Sequence, residues 1–253
     1  MNDSGDEFKI KAVTSGGSGS AFRKYRDLMY GPASLGYVML SELLVLLFGS
    51  LPGALGLVLR KKLYPRLFKQ VGRGVVFGRN LTLRHAQKIT LGDHVILDDN
   101  VVVDAKGSSN RGIEIGNGVY LGRNTIVYCK NGNITLGDRV NVSSNCQIFS
   151  SNELTVGQGT VIGAFTYLLS GGEYDPMNRE VPFADQSGME TKGPLSIGRN
   201  CWLGAGVVVT DASSIGEHCV VAAGAVVTKQ FGDEVILAGV PARVLRTLDG
   251  GDS

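Results

Sequence analysis

The chain has 253 residues, a formal net charge of +2, and 36 glycines that follow no period of three. That length holds one large domain or two small ones, and the glycine pattern excludes a collagen-like fibre in favour of many tight turns. Four cysteines (Cys129, Cys146, Cys201 and Cys219) lack the density and paired spacing of a disulfide scaffold or a zinc site, which predicts a reducing, cytoplasmic setting.

Residues 1–20 are polar, rich in Ser, Gly and Asp, and lack the basic start and apolar core of a signal peptide. They read as a disordered tail. Residues 21–70 read as a helical segment. Between Pro32 and Leu59 the only charge is Glu42, and Leu43 to Phe48 is wholly apolar. Pro52-Gly53 interrupts this run, so its unbroken part, 33–50, is about the minimum for a straight bilayer span. Beyond the break, leucines mix with Arg60, Lys61, Lys62, Arg66 and Lys69. From Glu42 to Asp93 the chain carries nine cations and no further acid, so its basic end lies near the N-terminus. Two readings follow for residues 33–69 and do not exclude each other. One is contact with a membrane surface, placing the protein peripherally on the inner face of the cytoplasmic membrane. The other is a pair of helices capping the open end of a repeat domain. Aromatics do not alternate with the cations, which argues against nucleic acid as a partner.

From about Phe77 a branched aliphatic residue recurs every six positions, usually with glycine after it: I-G-N-G-V-Y, L-G-R-N-T-I, L-G-D-R-V-N, and later I-G-R-N-C-W, L-G-A-G-V-V, I-G-E-H-C-V. Neither a helical period nor strict alternation produces this spacing. Three short strands per turn do, with the aliphatic filling the centre of a triangular column. The residue four places later also faces inward near a corner and must be small. Val95, Thr125, Cys146, Thr160, Cys201, Ser213, Cys219 and Ala225 fit that slot, which gives three of the cysteines a structural task. The residue three places later is often Asn (Asn80, Asn100, Asn124, Asn145, Asn200), a type that tolerates left-handed backbone. The expected fold is an all-β solenoid, a left-handed parallel β-helix of about seven coils over residues 71–230, with 231–253 as a return segment and tail.

Extra residues fall after the third strand of most coils and should stack along one edge. The longest insertion runs over about 169–196. Inside a compact repeat, a loop of that length is usually functional. Its mixture of Tyr174, Pro182 and Phe183 with charged residues favours an ordered arm that reaches a neighbouring subunit.

Three C-terminal motifs are the most specific: I-G-R-N-C-W-L-G-A-G (197–206), A-A-G-A-V-V-T-K (222–229) and A-G-V-P-A-R-V-L-R (238–246). With them the chain, over about Val71 to Arg246, resembles the hexapeptide acyltransferases, in particular the galactoside, maltose and polysaccharide O-acetyltransferases. The resemblance implies a homotrimer that binds acetyl-CoA, or another short acyl-CoA, between neighbouring prisms, with no metal. It places backbone at Ala205 and Ala223 along the pantetheine arm, and Thr228, Lys229 and Arg243 near the nucleotide phosphates. It also implies transfer to a saccharide or lipid-linked glycan acceptor in cell-surface polysaccharide synthesis.

The family's base is a histidine in the long loop after a glycine run. This loop contains none, and Glu173 occupies the place in L-L-S-G-G-E-Y-D. Glu173 is therefore the candidate base, alone or with Tyr174 and Asp175; a buried carboxyl can do such work. Alternatively it merely starts the loop, paired with Arg179. Asn145, Arg179 and Trp202 are candidate acceptor contacts, with turn-slot and packing roles as the alternatives for Asn145 and Trp202. A catalytically silent trimeric scaffold at the membrane is the competing function. Zinc shared across a trimer is excluded by spacing: His94 and His218 fall on about the second and seventh coils, roughly 24 Å apart at ~4.8 Å per coil.

Overall fold

The computed structural model describes residues 20–248. The tail expected over 1–20 lies outside the described residues except for Ser20, as do 249–253. Three helices open the described chain: α1 (Ala21–Met29), α2 (Leu35–Phe48) and α3 (Gly53–Leu63). The Ser20 and Ser34 hydroxyls cap α1 and α2 by accepting from Arg23 N and Tyr37 N. Pro52 and the left-handed Gly53 (φ +71°) separate α2 from α3, as the sequence requires.

A parallel β-solenoid follows. Its coils begin at Gln70, Ile89, Ile113, Asn133, Glu153, Leu195 and Ser214, each with three short strands. A partial eighth coil, Gln230–Phe231 and Val235–Ala238, exceeds the seven expected, and Arg243–Thr247 folds back antiparallel on it. Stacking yields three sheets of eight, nine and seven strands, here the first, second and third faces.

The hexad slots behave as their chemistry demands. The leading aliphatics, such as Leu91, Leu121, Ile162, Leu203 and Val221, are almost wholly buried along the axis. The small corner fillers are equally buried, and the polar ones are satisfied. Thr125 Oγ1 donates to Ser143 O at 2.9 Å, Thr160 Oγ1 to Gly198 O at 2.8 Å, and Cys201 Sγ to Gly216 O at 3.0 Å. Each bond reaches the carbonyl one coil higher, so a buried hydroxyl or thiol loses no partner on leaving water. Burial pushes the Cys201 thiol up to about 11, which keeps it protonated.

Glycine after the aliphatic has a separate cause. A Cβ on Gly163 would meet Ala205 N at 2.6 Å, so the coils could not stack at their natural spacing. At the corners, all five predicted asparagines adopt positive φ, between 52° and 61°. Four also form a ladder: Asn80, Asn100 and Asn124 each donate Nδ2 to Oδ1 of the next, ending on Asn145, at 3.2 Å per step.

The helices close the first coil. Leu44 on α2, with Tyr64, Leu67 and Phe68 just beyond α3, joins the solenoid core. Buried Arg60 locks them in place by donating to Phe77 O (3.0 Å), Phe48 O (2.9 Å) and Leu51 O (2.8 Å).

Candidate functional site

The long loop leaves the fifth coil at Ser170 and re-enters the sixth at Leu195, on the edge between the third and first faces. Both feet are tied to one carboxylate. Asp211, buried on the turn after the sixth coil, accepts from Gly171 N (2.5 Å), Lys192 N (2.5 Å) and Thr191 Oγ1 (3.1 Å). Ser151 and Asn152 hold the same feet from the coil below: Gly172 N donates to Ser151 Oγ at 3.1 Å, and Asn152 Nδ2 donates to Thr191 Oγ1 at 3.0 Å. Gly171 and Gly172 both have φ +80°, and a Cβ on Gly172 would strike the Phe149 ring, so the glycine run is a geometric requirement.

This clamp presents Glu173 at the edge. Its backbone pairs with Glu190 across the loop base, and its carboxylate meets Lys192, Nζ to Oε2 2.5 Å, with the side chain 32% exposed. The partner is thus Lys192 rather than Arg179, which lies exposed farther out on the loop. The ion pair in turn raises the Lys192 ammonium above its ordinary value. Beyond Glu173 the loop packs on itself. The Tyr174 ring sits edge-on to Phe183 (6.0 Å) and against Gly188. Asp175 is occupied locally, its Oδ1 accepting from Met177 N at 2.8 Å, while Gln186 brackets its backbone.

The other predicted residues lie elsewhere on the prism. Ala205 and Ala223 are exposed on the edge between the second and third faces, two and three coils above Asn145. Beside them Gly206 and Gly224 (φ +69° and +70°) have open space where a Cβ would stand, so backbone is bare there. Between Asn145 and this bare stretch the ladder is broken by Phe165, left-handed (φ 62°) and 68% exposed. Thr228 and Lys229 lie exposed on the loop edge, with Lys229 Nζ 5.4 Å from the Phe231 ring centre. Arg243 lies on the return strand, its Nη1 donating to Ala242 O at 3.1 Å. Trp202 projects from the second face, 60% exposed.

One chain therefore gathers Glu173 and Lys192, but it does not enclose the remaining residues with them. Ala205, Ala223, Thr228 and Lys229 border the third face, whose outward column over coils five to seven is Tyr167, Val208 and Val226; Asn145 lies on the fourth coil, and Trp202 and Arg243 belong to the second sheet. The bare edge and the Glu173 edge bound this face on either side, and its fifth-coil strand, Tyr167–Ser170, spans roughly 13 Å. Two recesses lie apart from it. One of about 330 Å³ runs along the opposite edge past His94 and Arg139, and one of about 410 Å³ lies between Tyr37 and His85.

Asp211, Lys192 and Phe165 did not emerge from the sequence. Phe165 was the most accessible of the three, because it interrupts a column of corner asparagines. The clamp was not, since its partners are 19 to 40 residues apart.

The model of the bacterial transferase hexapeptide (six repeats) matches residues 194–229. Nodulation protein L of Rhizobium meliloti (strain 1021) is 36% identical over 112 residues, covering 44% of this chain and 58% of that protein. The galactoside O-acetyltransferase of Escherichia coli (strain K12) is 30% identical over 120 residues, covering 47% and 57%. The chain spans between 38% and 60% of the length of such curated relatives. AntD, an N-acyltransferase from Bacillus cereus solved with dTDP and 3-hydroxybutyryl-CoA, shares the fold at TM-score 0.52 and 19% identity, over 74% of this chain and 87% of that one. Because the six-residue spacing matched at 194–229 governs the other coils as well, the whole β-helix is similar in its repeat to the bacterial hexapeptide transferases.

Proposed function

We propose that the protein transfers a short acyl group, acetyl first among them, from acyl-CoA to a hydroxyl of a saccharide or glycan precursor. The observation that carries this reading is the clamped loop, which holds a carboxylate on one edge of an apolar strip whose other edge is bare backbone. The strip suits a pantetheine arm, and the relatives' names supply the acyl chemistry. In the step proposed, the Glu173 carboxylate accepts the acceptor's hydroxyl proton as that oxygen attacks the thioester carbonyl. The C–S bond then breaks, and the departing CoA sulfur takes the proton back.

The strip is open in a single chain, and a homotrimer closes it. The outward column of the first face is polar, with Thr90, Glu114, Thr135 and Thr155 in register. The second face instead presents Val76, Ile96, Tyr120, Asn141, Val161, Trp202 and Val220, apolar but for Asn141. Packing around a three-fold axis would bury the apolar faces and leave the polar one in water.

The test is release of CoA thiol by the purified full chain with a panel of nucleotide sugars and lipid-linked glycans. Glu173→Gln is expected to lower kcat by about 10²- to 10⁴-fold with little change in the affinity for CoA. No CoA binding and no turnover with any acceptor would remove the enzyme reading. The second reading, a silent trimeric scaffold, draws on the absent loop histidine and on the engagement of Glu173 by Lys192.

A further inference from the structure

The two helices that close the first coil have an outer surface that water does not suit. On α2, Val38, Ser41 and Leu44 are buried, and the opposite side carries Leu35, Met39, Leu43 and Leu46, the last 79% exposed. A surface helix of a globular protein turns a polar face outward; this one turns a mainly apolar side outward. Its single charge, Glu42, is exposed but engaged, its Oε1 accepting from the hydroxyls of Tyr25 and, at 2.6 Å, Tyr30. Just past the turn, α3 continues the surface with Leu55, 64% exposed, and Val58.

Cations follow this surface along the chain. Of the nine between Glu42 and Asp93, Arg73, Arg79 and Arg84 pair with Asp93, Asp99 and Asp104 one coil up. Arg60 is spent on carbonyls, and Lys88 Nζ donates to Gly107 O and Asn110 Oδ1. Lys61, Lys62, Arg66 and Lys69 are exposed and make no ion pair among the described residues. They follow the apolar part of α3 directly. No helix among the described residues is long and apolar enough to cross a membrane.

We infer that the α2–α3 hairpin is a docking surface for an anionic lipid bilayer, seating the capped end of the prism on one leaflet. The leucines near the turn enter the acyl boundary, and Lys61, Lys62, Arg66 and Lys69 lie at headgroup level. Charge complementarity selects this occupant over a second copy of the chain, whose facing hairpin would bring four further unpaired cations against these. The Arg60 lock makes the surface rigid, so docking pays no cost for folding a helix. The inference is independent of acyl transfer, since vesicle binding involves no chemistry.

The experiment is flotation of the full chain with phosphatidylcholine vesicles, with and without about 30 mol% phosphatidylglycerol. Binding is expected on the anionic vesicles and should weaken as salt rises. Lys61→Glu with Lys62→Glu should lower the partition coefficient there by about tenfold or more, given roughly fivefold per cation. Leu46→Asp with Leu55→Asp should lower it at least as much on both vesicle types, with unchanged melting temperature and solution mass. Wild type that stays unbound at every lipid concentration overturns the inference, as does binding indifferent to both phosphatidylglycerol and the lysine reversal. A leucine variant that falls to a smaller oligomer would reassign the surface to a subunit contact and overturn it too.

Discussion

Asp211 shows how much one buried side chain can organise. Its carboxylate collects donors from both feet of a loop of more than twenty residues, so removing it frees two backbone amides at once. Asp211→Ala is expected to cost about 1–3 kcal/mol in stability through those orphaned donors. The same variant should speed proteolysis within 171–194 and raise KM more than the melting shift alone would suggest. Limited proteolysis followed by mass spectrometry, alongside thermal unfolding, checks this. Equal cleavage in variant and wild type would show that Ser151 and Asn152 suffice. Lys192 belongs to the same scale: it was invisible as a partner of Glu173 because nothing in the chain's spacing marks a salt bridge across a loop base.

At the scale of the element, the corner asparagines carry two burdens that can be separated. Each holds a left-handed backbone, and each passes a hydrogen bond up the ladder. Asn100→Gly keeps the backbone and loses the side chain, whereas Asn100→Ala loses both. Alanine should therefore destabilise more than glycine by about 1–2 kcal/mol, the penalty for a Cβ in left-handed conformation. Denaturant titration of the two variants measures it. Equal losses in the two variants would mean that the ladder, not the backbone, keeps the corner. Helices α1 to α3 obey a different logic. Their capping role was legible from the need to cover an open coil, but which leucines face the core depended on how Arg60 and the Pro52 turn oriented them.

For the whole molecule, the proposed trimer rests on the contrast between a polar first face and the more apolar second and third faces. Val161→Lys sets a charge in the middle of the second face, where it leaves the single prism's core untouched. It should shift the solution mass from three chains to one by light scattering, while the far-ultraviolet spectrum of the solenoid is kept. A trimer that persists would place the contact on the third face alone. Loss of turnover on dissociation is expected as well, because in the proposed trimer the strip beside Glu173 would be one wall of a groove.

The sequence by itself determined the solenoid: its hexad period, the small corner fillers, the left-handed asparagines and the edge that carries the insertions. Those are properties of neighbours six residues apart or fewer, and a repeat states each rule many times over. Only the tertiary structure decided that Lys192 holds Glu173, that Asp211 ties the loop, that an eighth coil begins, and that the outer sides of α2 and α3 are left apolar. Those depend on contacts between residues far apart in the chain, each made once, and a period cannot announce what occurs a single time.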